Sequence, residues 1–319
     1  MDNLPIDTSH PAVRDYLSLV RLQVLTPLSL LINIAVLVVC ALLTNPTITQ
    51  VSRLYPTAIS PHPPTIAAYV LIIFLGQLGY CLLLVLASKP ETKAALTKGV
   101  GLSLVGANWV MAFWAIACVF QWFLLATILQ GILLLLLLYS NLALLIYHPP
   151  TSARPIDTAL IHAPLRFFLA LPLSILFPYS LFVTLGLSFK PTEPSAPRHY
   201  SGWHAWNGFA VVMSTNVFAF IVVALRRDLV WCIAATWLCV SIWLDSPKPP
   251  PVNITVITFT ALHPLAFLLS YIYVRFYSSR GQAVALPPGD DVLHREALER
   301  QRNGTAREVD AEAVWGGGP

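Results

Sequence analysis

Long apolar runs alternate with short polar segments along most of this chain. A helix needs about 20 mainly apolar residues to cross the hydrocarbon core, so each run bounded by charges, prolines or polar clusters predicts one span. The runs cover about 22–44, 66–88, 98–120, 123–147, 161–187, 205–225, 229–244 and 252–276. This pattern predicts an all-α fold, a polytopic transmembrane helical bundle of about eight spans.

The polar segments divide the chain into three parts. Residues 1–21 are predicted to form a cytosolic N-terminal arm, residues 22–276 the membrane domain, and residues 277–319 a short soluble tail. The tail alternates acids with arginines and is low in hydrophobic residues, so it is predicted to be largely disordered in the cytosol. The linker between the first two spans is rich in proline and cannot be a regular helix.

The distribution of lysine and arginine predicts the orientation. Ten of those that flank the predicted spans lie on the side of the N-terminus and four lie on the other side. Positively charged loops stay in the cytosol, so both termini are predicted to be cytosolic. The acidic first segment fits neither a cleaved signal nor a mitochondrial presequence. We expect an integral multi-pass protein of the endomembrane system or the plasma membrane, and the sequence does not choose between them.

Composition agrees with this assignment and excludes several classes of protein. Hydrophobic residues make up 56% of the chain and charged residues 11%, whereas a soluble domain carries about 25% charged residues. The net charge of +4 forms no basic stripe, so the expected partner is the lipid bilayer and not a nucleic acid. The small-residue face of span three, from Gly99 to Ala107, suits packing within one chain or in a homo-oligomer.

Ionisable groups inside the spans offer little for catalysis or ion coupling. No aspartate or glutamate lies in the middle of a span, and Asp157, Asp228 and Asp245 lie at predicted helix ends, where capping is the simpler interpretation. Pumps and proton-coupled carriers need charge within the membrane, so those classes lose support. No catalytic motif occurs, no catalytic residue is assigned, and an enzyme is the less favoured class.

Metal and cofactor sites are likewise not predicted. His162 and His263 lie in different spans without neighbouring carboxylates or thiolates, whereas a metal site needs three or four ligands. The cysteines all lie inside apolar runs and are interpreted as buried small hydrophobic residues.

Neutral polar residues remain inside the spans, and two interpretations are compatible with them. Amides can hydrogen-bond between helices, or they can line a ligand pocket. Span three combines its small-residue face with Asn108, Trp109 and Trp114. This combination makes span three the best candidate for a pocket.

Two resemblances to known families follow from short motifs. The proline-rich first loop and Leu225-Arg226-Arg227-Asp228, followed by a tryptophan-rich span, resemble a fungal family of multi-pass membrane proteins of unknown function. More remotely, Gly76-Gln77-Leu78-Gly79-Tyr80 and the tryptophans of span three are similar to the tryptophan-rich sensory proteins, the translocator-protein superfamily. The proline-tryptophan signature of that superfamily's first helix is missing here.

The second resemblance implies a function and a set of site residues. Proteins of that superfamily bind tetrapyrroles and sterols in a pocket within the helix bundle. By this resemblance and by their place in spans two and three, the candidate ligand-binding residues are Gln77, Tyr80, Asn108, Trp109 and Trp114.

Three hypotheses of function are therefore carried forward. The favoured one is binding or transport of an apolar small molecule, a tetrapyrrole, a sterol or a lipid, within the bundle. The first alternative is an intramembrane enzyme acting on an isoprenoid or lipid. The second is a membrane-anchored structural or assembly factor that recruits a partner through its tail.

Overall fold

The computed structural model describes residues 11–150, 154–189 and 200–277 of the chain, and all its regular elements there are helices. Their bounds are α1 Pro11–Leu42, α2 Ile48–Leu54, α3 Pro63–Leu86, α4 Pro90–Ala94, α5 Leu102–Val119, α6 Phe123–Tyr147, α7 Pro155–Thr184, α8 Gly202–Arg226, α9 Leu229–Trp243 and α10 Pro250–Tyr277. The predicted tail, residues 277–319, lies outside the described residues except for Tyr277. Residues 1–10 of the predicted arm also lie outside them.

Within the described residues, seven helices are long and apolar enough to cross a membrane, namely α1, α3, α5, α6, α7, α8 and α10. Helix α9 is apolar too, but its 15 residues extend only about 22 Å, less than the hydrocarbon thickness of about 30 Å. The prediction of an all-helical membrane bundle with about eight apolar helices, the seventh of them short, is confirmed.

Helix boundaries follow local sequence signals. Pro63, Pro90 and Pro155 lie in the first turn of α3, α4 and α7. A backbone N–H at that position has no intrahelical acceptor, so proline removes no helical hydrogen bond there. The Asp228 side chain caps the start of α9, and Arg227, with φ of 53°, ends α8 in the left-handed conformation. Helix α1 differs from its prediction, because it begins at Pro11 while the apolar run begins near Leu22. A hydropathy pattern does not register a helix that continues into polar sequence.

The linker between the first two spans also differs from its prediction, because Ile48–Leu54 forms the helix α2 within it. Pro46 and Pro56 lie on either side of this helix, and Thr47 and Gln50 form a capping box that starts it.

Helices α5 and α7 form the buried centre of the bundle, and about two-thirds of the most apolar stretch of each is buried. Helix α5 packs between α1 and α6, as its small-residue face predicts. The connection from α5 to α6 is only three residues long, and Gln121 takes the positive φ that reverses the chain. Helices α5 and α6 therefore form a tight antiparallel hairpin.

Helix α7 is irregular where its prolines lie. It contains two π-helical stretches, Thr158–His162 and Pro172–Leu176, and a third one, Ala95–Val100, leads into α5. Proline removes a backbone donor from the helix interior, and a wider turn is one way to accommodate that loss. The irregularity of α7 therefore takes the form of π-helical turns.

The two glycines of the Gly76–Tyr80 segment have a packing reason. A Cβ atom at Gly76 would lie 2.9 Å from the Cβ and Cγ atoms of Pro164, and one at Gly79 would lie 2.8 Å from Leu160 Cδ2. Helix α3 therefore approaches α7 so closely at these positions that no side chain fits between them.

The chain divides into two compact units after Leu268. The first unit contains all helices through α9 and most of α10. Of the second unit, which begins at Leu269, the structure describes the last two turns of α10, and their large side chains, Leu269, Tyr271, Ile272, Tyr273 and Phe276, are mostly exposed.

Candidate functional site

An apolar cavity of about 410 Å³ lies among α1, α2, α3, α5 and α7. Most of its lining side chains are aliphatic or aromatic, and the polar ones are few. The lining residues are Ile34, Leu37, Val38, Ala41, Leu42, Ile48, Thr49, Ser52, Pro61, Pro63, Ile66, Ala67, Val70, Leu71, Phe74, Met111, Trp114, Cys118, Ile175, Leu176 and Tyr179. We call this space the apolar cavity.

Trp114 is the one predicted site residue that lines the apolar cavity. Its side chain is buried, and its indole Nε1–H donates to Ser180 Oγ of α7 at 3.4 Å. The neighbouring Tyr179 also lines the cavity, and its hydroxyl donates to the carbonyl oxygen of Tyr55 at 3.3 Å. Both polar groups on this wall are thus held by protein partners, and an apolar surface faces the cavity.

Two further predicted site residues, Gln77 and Asn108, form a buried amide chain with Asn33. Asn33 Nδ2 donates to Asn108 Oδ1 at 3.0 Å, and Asn108 Nδ2 donates to Gln77 Oε1 at 2.8 Å. The three side chains come from α1, α5 and α3, and each is at most 1% exposed. Hydrogen bonds among three helices fix their relative register.

The amide chain lies one helical turn from the wall of the apolar cavity on each of its three helices. Asn33 precedes the lining residue Leu37 by four positions, and Asn108 precedes Met111 by three. Gln77 follows Phe74 by three positions on α3. Because side chains three or four positions apart share a helix face, the amide chain lies just beyond one end of the cavity lining. We call it the amide floor.

The remaining two predicted site residues lie elsewhere. Tyr80 is buried, and its hydroxyl donates to the carbonyl oxygen of Leu96 at 3.3 Å, so it ties α3 to the π-helical stretch before α5. Trp109 is 37% exposed, and its ring stacks on Phe113 with centroids 5.9 Å apart. Neither side chain lines the apolar cavity.

Other buried polar side chains connect helices in pairs. Asn141 Nδ2 of α6 donates to the carbonyl oxygen of Leu165 in α7 at 3.2 Å. The thiol of Cys239 in α9 donates to Asn216 Oδ1 of α8 at 2.9 Å. These contacts follow the first of the two interpretations, in which neutral polar groups hold the bundle in register.

Sequence reasoning missed one buried ion pair. Arg166 of α7 and Asp228, the cap of α9, lie 2.5 Å apart from Nη1 to Oδ2. The other carboxylate oxygen, Asp228 Oδ1, accepts hydrogen bonds from the backbone N–H groups of Val230 and Trp231. A signal was available, because Arg166 is a lone charge within a predicted apolar span, and such a charge requires a partner.

The two other acids at helix ends also have partners of their own. Asp157 Oδ2 accepts a hydrogen bond from Thr92 Oγ1 at 2.8 Å, and Asp245 Oδ2 lies 2.8 Å from Lys248 Nζ. In the described part of the chain, no group of three or more His, Cys, Asp or Glu side chains is arranged to hold a metal ion. The five cysteines are buried and unpaired.

Comparison with known proteins identifies the family. No curated protein and no solved structure matches the chain. The family described as TSPO-like protein matches residues 23–273, well over half of the 319 residues, and the match includes every helix that lines the apolar cavity. The chain therefore belongs to the TSPO-like protein family, and it is an integral multi-pass membrane protein of that family.

Proposed function

We propose that this protein binds an apolar small molecule, of the tetrapyrrole, sterol or lipid class, in the apolar cavity. The observation that carries the proposal is the cavity itself, about 410 Å³ of space among five helices of a charge-poor bundle. Small-molecule sites usually measure about 300–1,000 Å³ and are mostly apolar with a few polar groups. Family membership supports the ligand class, because the sequence resembles a superfamily that binds such molecules.

The lining of the cavity favours ligands that are bound mainly by burial of apolar surface. Trp114 and Tyr179 line the cavity, while their polar atoms are engaged with Ser180 and Tyr55. Burial of apolar area contributes about 25 cal/mol per Å², with no directional requirement. Such a wall accepts flat or elongated apolar bodies and selects them by shape.

The amide floor joins three of the helices that line the cavity. Its three side chains are buried and bonded in series, so shifting one helix along its axis breaks at least one of these hydrogen bonds. Breaking them within an apolar bundle leaves buried polar atoms without partners, which costs free energy. The floor therefore supports a preformed cavity, and a preformed site lowers the ordering cost of binding.

The proposal is tested by blocking the cavity. Ala67 lines it, whereas the adjacent Ala68 of the same helix does not, and both are exposed side chains. In lipid nanodiscs, protoporphyrin and a fluorescent sterol are titrated against wild-type protein, Ala67→Phe and Ala68→Phe. We expect saturable binding to the wild type and to Ala68→Phe, with a loss of about tenfold or more in Ala67→Phe.

Thermal stability provides an independent readout in the same samples, because a ligand that binds only the folded state raises Tm. If Ala67→Phe and Ala68→Phe bind equally well, the ligand lies outside the apolar cavity and the proposal fails. Absence of saturable binding by any sterol, tetrapyrrole or membrane lipid in the wild type also rejects it.

A further inference from the structure

A second, polar space adjoins the apolar cavity. It measures about 260 Å³ and is lined by Ser52, Arg53, Pro56, Pro61, His62, Pro63, Pro64 and Asp245. Three of these residues, Ser52, Pro61 and Pro63, line the apolar cavity as well. The two spaces therefore meet at a common wall, and we call the polar one the vestibule.

The charges around the vestibule are unequal. Asp245 is paired with Lys248 at 2.8 Å, and the same ammonium donates to the carbonyl oxygen of Ser60 at 2.7 Å, so the negative charge is compensated from within the protein. Arg53 is exposed, at the last turn of α2, and it makes no ion pair or hydrogen bond through its side chain with the residues that the structure describes. One positive charge thus remains available in the vestibule.

A second hydrogen-bonding group stands beside the shared wall. His62 Nδ1 is bonded to Thr65 Oγ1 at 2.9 Å, and its backbone N–H donates to the carbonyl oxygen of Ser241 at 2.7 Å. The first bond orients the imidazole ring, and the second holds the backbone that carries it. Its Nε2 atom has no partner within the described ranges, so it is available to a ligand.

Resting on the proposed function, we infer that the ligand is an amphiphile whose apolar body fills the apolar cavity and whose anionic group lies in the vestibule beside Arg53 and His62. A guanidinium binds oxyanions such as a carboxylate, a phosphate or a sulfonate through charge-assisted hydrogen bonds. The alternative for Arg53, a charge that only complements the end of α2, does not account for its place in the lining of the vestibule.

The inference predicts discrimination between two ligands that differ only in the head group. Two photoreactive probes with the same diazirine-bearing 16-carbon chain are used, one ending in a sulfonate and one in a hydroxyl. The sulfonate keeps its charge at every working pH. Labelling is measured in nanodiscs of zwitterionic lipid, with competition by the unlabelled compounds, and labelled peptides are located by mass spectrometry.

We expect both probes to label peptides of α3 and α5, and the sulfonate to bind about three- to tenfold more tightly, since water screens a partly exposed pair. Arg53→Gln should bring the affinity of the sulfonate down to that of the alcohol and leave the alcohol unchanged. Arg53→Lys should retain most of the preference. Arg226→Gln, which removes an exposed arginine that lines neither space, serves as the matched control and should change neither probe.

The outcomes separate this inference from the proposed function. Equal affinities of the two probes in the wild type, or an equal loss for both in Arg53→Gln, would overturn the inference while labelling of α3 and α5 still supports the cavity. A third outcome is that neither probe labels these helices, while a sterol or tetrapyrrole binds and Ala67→Phe blocks its binding. This outcome overturns the inference and leaves the proposed function standing. Failure of every ligand overturns both.

Discussion

The guanidinium of Arg166 lies 2.5 Å from the carboxylate of Asp228, and this ion pair joins α7 to the N-cap of α9. Both side chains are nearly buried, with 11% and 5% of their surface exposed. A charge in such a place is tolerated only with a partner and with its remaining hydrogen bonds satisfied, and Asp228 meets this condition because it also caps α9.

Removing one member of this pair should destabilise the protein. Asp228→Asn keeps a capping side chain but leaves the Arg166 charge uncompensated, so we expect a loss of about 3 kcal/mol in the free energy of unfolding. The double variant Arg166→Met with Asp228→Asn should recover most of this loss, because no unpaired charge remains. Thermal unfolding in nanodiscs measures both. A double variant no more stable than the single one would contradict the structural role of the pair.

Asn108 accepts and donates within the amide floor, so its replacement affects two partners at once. Asn108→Leu leaves Asn33 Nδ2 and Gln77 Oε1 without their hydrogen bonds, and we expect a loss of about 1–2 kcal/mol. Asn207→Leu is the control, because among the described residues the Asn207 amide donates only to the carbonyl oxygen of Trp203 in its own helix. Equal melting temperatures for the two variants would show that the floor contributes no stability.

Gly76 tests the close approach of α3 to α7. A methyl group there would meet the rigid ring of Pro164 at 2.9 Å, and a ring cannot rotate away as a long side chain can. We expect Gly76→Ala to destabilise the protein by about 1–3 kcal/mol through overpacking. Gly202→Ala is the control, since no neighbouring atom of the described residues lies within 4 Å of the added atom. Unchanged unfolding of both variants would mean that α3 and α7 are farther apart than described.

Two tryptophans on α5 should report differently on a bound ligand. Trp114 lines the apolar cavity, whereas Trp109 faces outward against Phe113. We expect Trp114→Phe to remove most of the ligand-dependent change in tryptophan fluorescence and Trp109→Phe to retain it. The measurement is a titration of each variant with the ligand found in the binding screen. A fluorescence change that depends on Trp109 would place the ligand on the outer face of α5.

Whether the short helix α9 crosses the membrane decides the topology. If the seven longer helices all cross, the two termini lie on the same side only when α9 crosses as well. We propose that it does, with both termini in the cytosol. Single cysteines in place of Arg227 and Ser246, which flank α9, should then react with an impermeant maleimide from opposite sides of a sealed vesicle. The native cysteines are buried and should react slowly. Labelling of both positions from one side would overturn the proposed topology.

The helices were predictable because the membrane imposes a simple rule. Backbone polar groups must be satisfied within the segment, and about 20 apolar residues are needed to cross, so hydropathy, proline and capping residues locate each helix. The start of α1 at Pro11 was not predicted, because Arg14, Asp15 and Arg21 interrupt the apolar pattern there. The π-helical turns were not predicted either, because a proline predicts a distortion and not the form that the distortion takes.

The candidate site was predictable only in part. Span three was chosen for its amide and its indoles, and the structure brings Asn108 to the amide floor and Trp114 to the apolar cavity. Trp109 lies five residues from Trp114, which is about 140° around a helix, so both rings cannot face one cavity. Sequence proximity grouped the two residues, and helical periodicity separates them.

The sequence alone predicted the all-helical membrane architecture and the central place of α5, because both depend on local composition and spacing. Short motifs of α3 and α5 carried the resemblance to the family that the comparison then identified. The tertiary structure decided which residues contact each other across the bundle. The apolar cavity draws its wall from positions as far apart as Ile34 and Tyr179, and the Arg166–Asp228 pair joins residues 62 positions apart. Such contacts depend on how helices pack, and packing is set by the shapes of all the side chains together, which no single segment of sequence contains.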